Sequence, residues 1–251
     1  MERRAVATVL ALALAALPLA PGSRVGRAAS SVPTKTATHC PADPAERVAL
    51  GAKVRQLITV IAPNGASRTA TLERWQRHRA CFVAASGTAS AELGRNGLSA
   101  HHHEGDGTTP IGVFGFGRVM YGALADPGVA YAWHRLRCGD WWDEDPSSPH
   151  YNRFVELACG ARPPFGGDSE ALWTELPAYD AFAVIAYNTD PVVPGRGSAI
   201  FLHVSTGAAT NGCVALARAS LLRTLAWLRP GADPKIAIAP AADFAGPRPF
   251  S

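Results

Sequence analysis

The chain has 251 residues, of which 47% are apolar and 18% charged, with a formal net charge of +4. That composition excludes a wholly disordered chain, and the length suffices for one or two domains with a sizeable core. Residues 1–30 hold four arginines against one glutamate, so the remainder is close to neutral and carries no basic footprint for nucleic acid.

Glu2, Arg3 and Arg4 precede an Ala/Leu-rich run from Ala5 to Ala20. This is the length of a secretory apolar region and short for a membrane span. Residues 1–30 are therefore expected to be a signal peptide, with Ala28-Ala29-Ser30 as the best cleavage site and an uncleaved anchor as the alternative. Cys40 lies too far from the run for lipid attachment. Residues 31–44 read as a polar linker.

Short β patterns follow. Gln56–Ala62 is a β-rich run ending at the turn signal Pro63-Asn64-Gly65, and Thr69–Trp75 could pair with it as a hairpin. Further strands are expected at Cys81–Ala85, Ile111–Phe116, Ala181–Tyr187, Ala199–Val204 and Lys235–Ala239. Leu221, Leu222, Leu225 and Leu228 follow helical spacing, and Pro230-Gly231 stops it. We expect one mainly β domain over residues 45–240, and a flexible tail over 241–251.

Five cysteines in an exported chain leave at least one unpaired. Cys138 and Cys159 bracket a Trp- and Pro-rich segment and make a plausible loop staple. Cys40 and Cys81 could then pair, which leaves Cys213 reduced; the alternative is that Cys40 or Cys81 is the free one.

The segment from His203 to Cys213 is the most informative. A thiol needs a nearby base or cation to become thiolate, since its ordinary pKa is near 8.5. No histidine follows Cys213, so any imidazole base lies upstream, and His203, at the end of an apolar strand, is the best framed. Gly212 lets the backbone approach a carbonyl and present N–H groups to an oxyanion. The bland reading is a buried structural cysteine near a chance histidine. His101-His102-His103-Glu104 with Asp106 could suggest a metal site. Adjacent histidines on an extended chain alternate in direction, however, and no spaced partner appears, so no metal is expected. A polar cleft rim is expected instead, with His103 or Glu104 near substrate. Trp141, Trp142, Tyr151 and Asn152 read either as cleft lining or as ordinary packing.

Thr210-Asn211-Gly212-Cys213-Val214, preceded by His203, resembles the catalytic motif of the L,D-transpeptidases: a His, a spacer, then Ser/Thr-His/Asn-Gly-Cys and an apolar residue. Gly105-Asp106-Gly107-Thr108-Thr109-Pro110-Ile111-Gly112-Val113-Phe114 is similar to the family's Asp-Gly-x-Thr-Pro-x-Gly-x-Phe segment. Trp141–Asp145 through Tyr151-Asn152 resembles its cleft-lining loop. Two departures stand out: a shorter spacer between His203 and Cys213, and Ala215 where Arg or Asn often follows. The resemblance implies a β-sandwich with one helix packed on the sheet, and a cell-wall enzyme acting through a Cys213 thioester. It would cleave a peptidoglycan stem tetrapeptide before its terminal D-Ala and form 3→3 crosslinks. Water as acceptor would make it an L,D-carboxypeptidase; a non-catalytic wall-binding domain is the reading from another class. No cofactor is implied, and a monomer outside the cytoplasmic membrane is expected.

Overall fold

The computed structural model describes residues 40–246 and Phe250. The expected signal peptide and most of the linker lie outside the described residues. Among the described residues no helix is long and apolar enough to cross a membrane.

The domain is mainly β. Its largest sheet has eleven strands, in the spatial order Gly112–Phe114, Lys235–Pro240, Gln56–Ala62, Thr69–His78, Ala89–Glu92, Val214–Leu216, Phe201–Val204, Phe182–Ile185, Phe116–Gly122 and Ala132–Arg135. Cys81–Ala84 pairs additionally with Thr69–His78. Gly112–Phe114 stands at one end of this order and Phe116–Gly122 next to the other end, yet a single residue, Gly115, joins them. The sheet must therefore curl until its two ends meet. The expected strand Ile111–Phe116 is thus two strands serving opposite ends of one sheet, a split that no local pattern announces.

Period-two alternation gives the curled sheet two different faces. Ile58, Val60, Met120, Ala183, Ile185, Leu202, Val204, Val214 and Leu216 fill one, together with Leu221, Leu225 and Leu228. The latter three come from the helix Arg218–Trp227 and its C-cap, so the leucine spacing seen in sequence covers this face. Tyr121, Phe182, Val184, Phe201 and Cys213 belong to the opposite face, with Trp142, Leu172 and Tyr179 packed on them. A third cluster, Val48, Val54, Leu57, Trp75, Phe82 and Phe244, lies where the N-terminal segment and the C-terminal end meet.

A small sheet in the order Arg153–Glu156, Asp140–Asp143, Glu170–Ala171 lies over the Phe201 face and brings Trp142 against Phe201, with ring centroids 4.9 Å apart. The Cys138–Cys159 disulfide closes the open end of its hairpin, and Cys40 is bonded to Cys81. Cys213 is the free cysteine.

The C-terminal stretch expected to be loose is ordered where it is described. Ala241–Ala245 forms a short helix that buries Phe244, and the backbone of Phe250 bonds Arg47 and Ala49. Phe244 is the reason: its ring completes an apolar cluster that polar composition alone would not suggest. The end of the expected linker is likewise held, by the Cys40–Cys81 bond.

Candidate active site

Alternation decides where the histidine and the thiol go. Phe201–Val204 runs parallel to Val214–Leu216, with His203 registered on Ala215. Cys213 lies two residues before Ala215, so His203 and Cys213 project from the same face of the sheet. The interposed Ala215 is 1% exposed.

Thr210 and Thr109 hold the turn that delivers Cys213. Both hydroxyls donate to the Cys213 carbonyl, at 2.8 and 3.3 Å, and Thr109 also accepts from the Gly94 N–H at 2.8 Å. The Asp-Gly-x-Thr-Pro block therefore buttresses the nucleophile loop directly. Gly212 has φ +147°, and a Cβ there would sit 3.0 Å from the Thr108 carbonyl oxygen. Only glycine lets the two loops approach this closely.

The Cys213 thiol is buried, donates to the Ala199 carbonyl at 3.1 Å and accepts the Phe201 N–H at 3.3 Å. No hydrogen bond joins it to His203 in this resting arrangement. His203 Nδ1 bonds the Val204 carbonyl at 2.9 Å, which fixes the tautomer with the lone pair on Nε2. Its ring stands edge-on to Tyr179, with centroids 5.8 Å apart. Burial lowers the His203 pKa to about 4 against the opposing effect of the Val204 bond. Burial, followed by the charge of Glu170, raises that of the Cys213 thiol, against the Phe201 N–H. At neutral pH the pair is therefore an uncharged imidazole and an uncharged thiol.

A cleft of about 450 Å³ opens on Cys213, lined also by Arg95, His102, Glu104, Glu144, Asp168 and Glu170 among others. Four carboxyl groups face one basic guanidinium and one imidazole. Burial, then the charges of Glu170, Glu104 and Asp168, push Glu144 up to about 10. One oxygen of Glu144 is sealed without a partner among the described residues. Burial pushes Glu170 up to about 7, against a hydrogen bond from the Tyr179 hydroxyl.

These shifts carry a stability cost with a definite sign. A carboxyl raised from about 4.5 to about 10 on folding contributes stability that is present below pH 4.5 and lost progressively as pH rises toward 10. Glu144→Gln is therefore expected to stabilise the free protein on the alkaline side, by about 1 kcal/mol or roughly 2–4 °C in Tm. Thermal unfolding at pH 5 and pH 9 measures this. Variant and parent curves separated equally at both pH values would contradict it.

The remaining residues singled out by sequence divide between the wall and its support. Glu104 is on the wall, held by hydrogen bonds from the Tyr151 and Ser198 hydroxyls, the latter 2.7 Å long. Asn211 lines the cleft, its side-chain oxygen accepting from Arg95. Gly212 donates its N–H to Thr210 Oγ1 at 3.1 Å, which occupies that donor. The Cys213 N–H makes no hydrogen bond among the described residues. His103 is exposed and off the wall; His102, turned the opposite way, is the histidine that lines it. Trp142, Tyr151 and Asn152 stand behind the wall. Trp142 donates to Asn152 Oδ1 at 3.1 Å; the same oxygen accepts the Ala199 N–H at 3.1 Å, beside the carbonyl that receives the thiol. Of the two readings open for them, cleft lining or packing, these three side chains take packing, each at most 4% exposed.

Arg95, Asp168 and Glu170 had no sequence signal, since each reaches the cleft only through the curl of the large sheet or the docking of the small one. His102 did have a signal: the alternation that argued against a metal also turns the middle of three consecutive histidines away from its neighbours.

A reduced cysteine beneath an open cleft, with a neutral imidazole on its sheet face and a free N–H at its own backbone, defines a site suited to thiol acyl transfer. The chain matches the YkuD family, the L,D-transpeptidase catalytic domain, over residues 60–238, and belongs to that family. No curated protein and no solved structure matches it.

Proposed function

We propose that this chain is an exported peptidoglycan L,D-transpeptidase acting through a thioester on Cys213. The observation that carries the reading is the free thiol under a cleft whose one wall is acidic, in a chain of this family. A stem peptide brings carboxylates, which suit Arg95, and a side-chain ammonium, which suits Glu104, Asp168 and the ionised fraction of Glu170, whereas Glu144, pushed up to about 10, stays protonated at neutral pH.

The thiol releases Ala199, passes its proton to His203 Nε2, and the sulfur attacks the carbonyl between the diamino acid and the terminal D-Ala. The oxyanion takes the Cys213 N–H; losing such a donor typically costs about 3 kcal/mol. The C–N bond breaks, and the proton on His203 moves to the leaving amine. A neighbouring stem's side-chain amine then attacks the thioester, the C–S bond breaks, and a 3→3 crosslink results. Carbapenem-type β-lactams would acylate the same sulfur. The protein acts as a monomer outside the cytoplasmic membrane, bringing no metal or organic cofactor to these steps.

Intact-mass spectrometry after mixing with a defined stem tetrapeptide tests this. The expected result is a covalent adduct lighter than the substrate by one D-Ala, absent in Cys213→Ala, and a crosslinked dimer of stems. An adduct that persists in Cys213→Ala, or none in the parent, would overturn the reading. Release of tripeptide acid alone would reassign the acceptor to water.

A further inference from the structure

His102 is a buried imidazole that the acyl-transfer steps above leave unused, and it lines the same cleft as Cys213. Its Nδ1 lies 2.9 Å from Asp106 Oδ1 and 3.1 Å from Thr108 Oγ1. Asp106 is itself fixed by the His103 N–H at 3.0 Å and the Thr108 N–H at 2.8 Å. A carboxylate on Nδ1 places the ring proton there and leaves the lone pair on Nε2, which makes no hydrogen bond among the described residues. The ring abuts the nucleophile turn: its Cε1 lies 3.6 Å from where a Cβ on Gly212 would sit.

The reaction needs a base in this position. An acceptor amine arrives as ammonium, drawn by the acidic wall, and must lose one proton before it can attack. The second proton, from the nitrogen in the tetrahedral intermediate, goes through His203 to the departing sulfur. One imidazole cannot hold both at once.

We propose that His102, oriented by Asp106, is the acceptor-side base: its Nε2 takes a proton from the incoming ammonium and returns it to water after transfer. This rests on the acyl-transfer reading. The groups facing His102 are Asp106, Glu104 and His103 from its own loop, and Tyr187, whose ring stands edge-on at 5.2 Å and whose hydroxyl donates to the His102 carbonyl. Burial outweighs the two carboxylates and lowers the His102 pKa, so the ring is neutral and competent as a base at pH 7.

The test separates the two half-reactions in His102→Gln and His102→Asn. Asparagine can keep the Nδ1-side bond to Asp106, and glutamine a polar atom near the Nε2 position, so one folded variant suffices. With a stem tetrapeptide as donor and the free diamino acid as acceptor, rapid-quench mass spectrometry follows formation and decay of the Cys213 adduct. Decay by the amine is expected to slow by about 10²-fold or more, far more than formation does, so that adduct accumulates. Decay in the variant should also rise about tenfold per pH unit toward the amine's own pKa, while the parent levels off above the His102 pKa. Equal slowing of both half-reactions, or decay with the parent's pH profile, would overturn the proposal. Absence of any adduct in the parent would instead sink the acyl-transfer reading beneath it.

Discussion

His203→Gln is expected to slow acylation of Cys213 by about 10²–10⁴-fold, the usual range for a positioned general base. The size follows from the environment of the sulfur. Burial and the charge of Glu170 raise the thiol pKa, so almost no thiolate exists at neutral pH and deprotonation must accompany attack. His203 suits that role because its own pKa is lowered to about 4 by burial, which keeps the ring neutral across the physiological range. The sign of the pH effect follows. In the parent protein, acylation should hold level above about pH 5 and fall as pH drops through about 4, where the imidazole gains a proton and stops accepting. In the glutamine variant the rate should instead climb with pH in step with thiolate. Rapid-quench kinetics of adduct formation between pH 4 and 9 measures both curves. A variant that keeps the parent's plateau would remove His203 from the reaction. The same environment implies that the resting thiol reacts slowly with iodoacetamide at pH 7, compared with an exposed cysteine.

Replacing Cys138 and Cys159 together by serine is expected to cost stability and activity at once. The disulfide joins positions 21 apart in the sequence, and the chain-entropy account gives about 3 kcal/mol for a loop of that size. For a domain of this length that corresponds to roughly 6–12 °C in Tm. The bond also fixes the small sheet through which Glu144 and Glu170 reach the cleft. Loosening that sheet should therefore raise KM for a stem tetrapeptide, with acylation of Cys213 still detectable at saturating substrate. Calorimetry and steady-state kinetics on the double variant check the two parts. A variant that loses stability with KM unchanged would separate the small sheet from substrate binding.

Much of the framework was legible because it follows from local rules. The strand Gln56–Ala62 matches its expected limits, and the leucine spacing marked the helix that covers one face of the sheet. The blocks at 105–114 and 210–214 pointed to the family that the comparison shows. Strands such as Ala132–Arg135 and Glu170–Ala171 were not legible, since they are short and are defined by the partners they pair with.

The sequence by itself displayed the candidate groups: a histidine framed by an apolar strand upstream of a thiol, a glycine before that thiol, and an odd number of cysteines. Tertiary structure alone decided how that chemistry is arranged. Parallel pairing of Phe201–Val204 with Val214–Leu216 sets His203 and Cys213 on one face, while the thiol hydrogen rests on Ala199 rather than on the imidazole. The curl of the large sheet and the docking of the small one bring Arg95, His102, Asp168 and Glu170 to the same cleft from segments far apart in the chain. Side-chain period is a local property that a sequence displays. Which strand edges meet is settled only when the whole apolar surface is buried at once, and the wall of this site is made from those meetings.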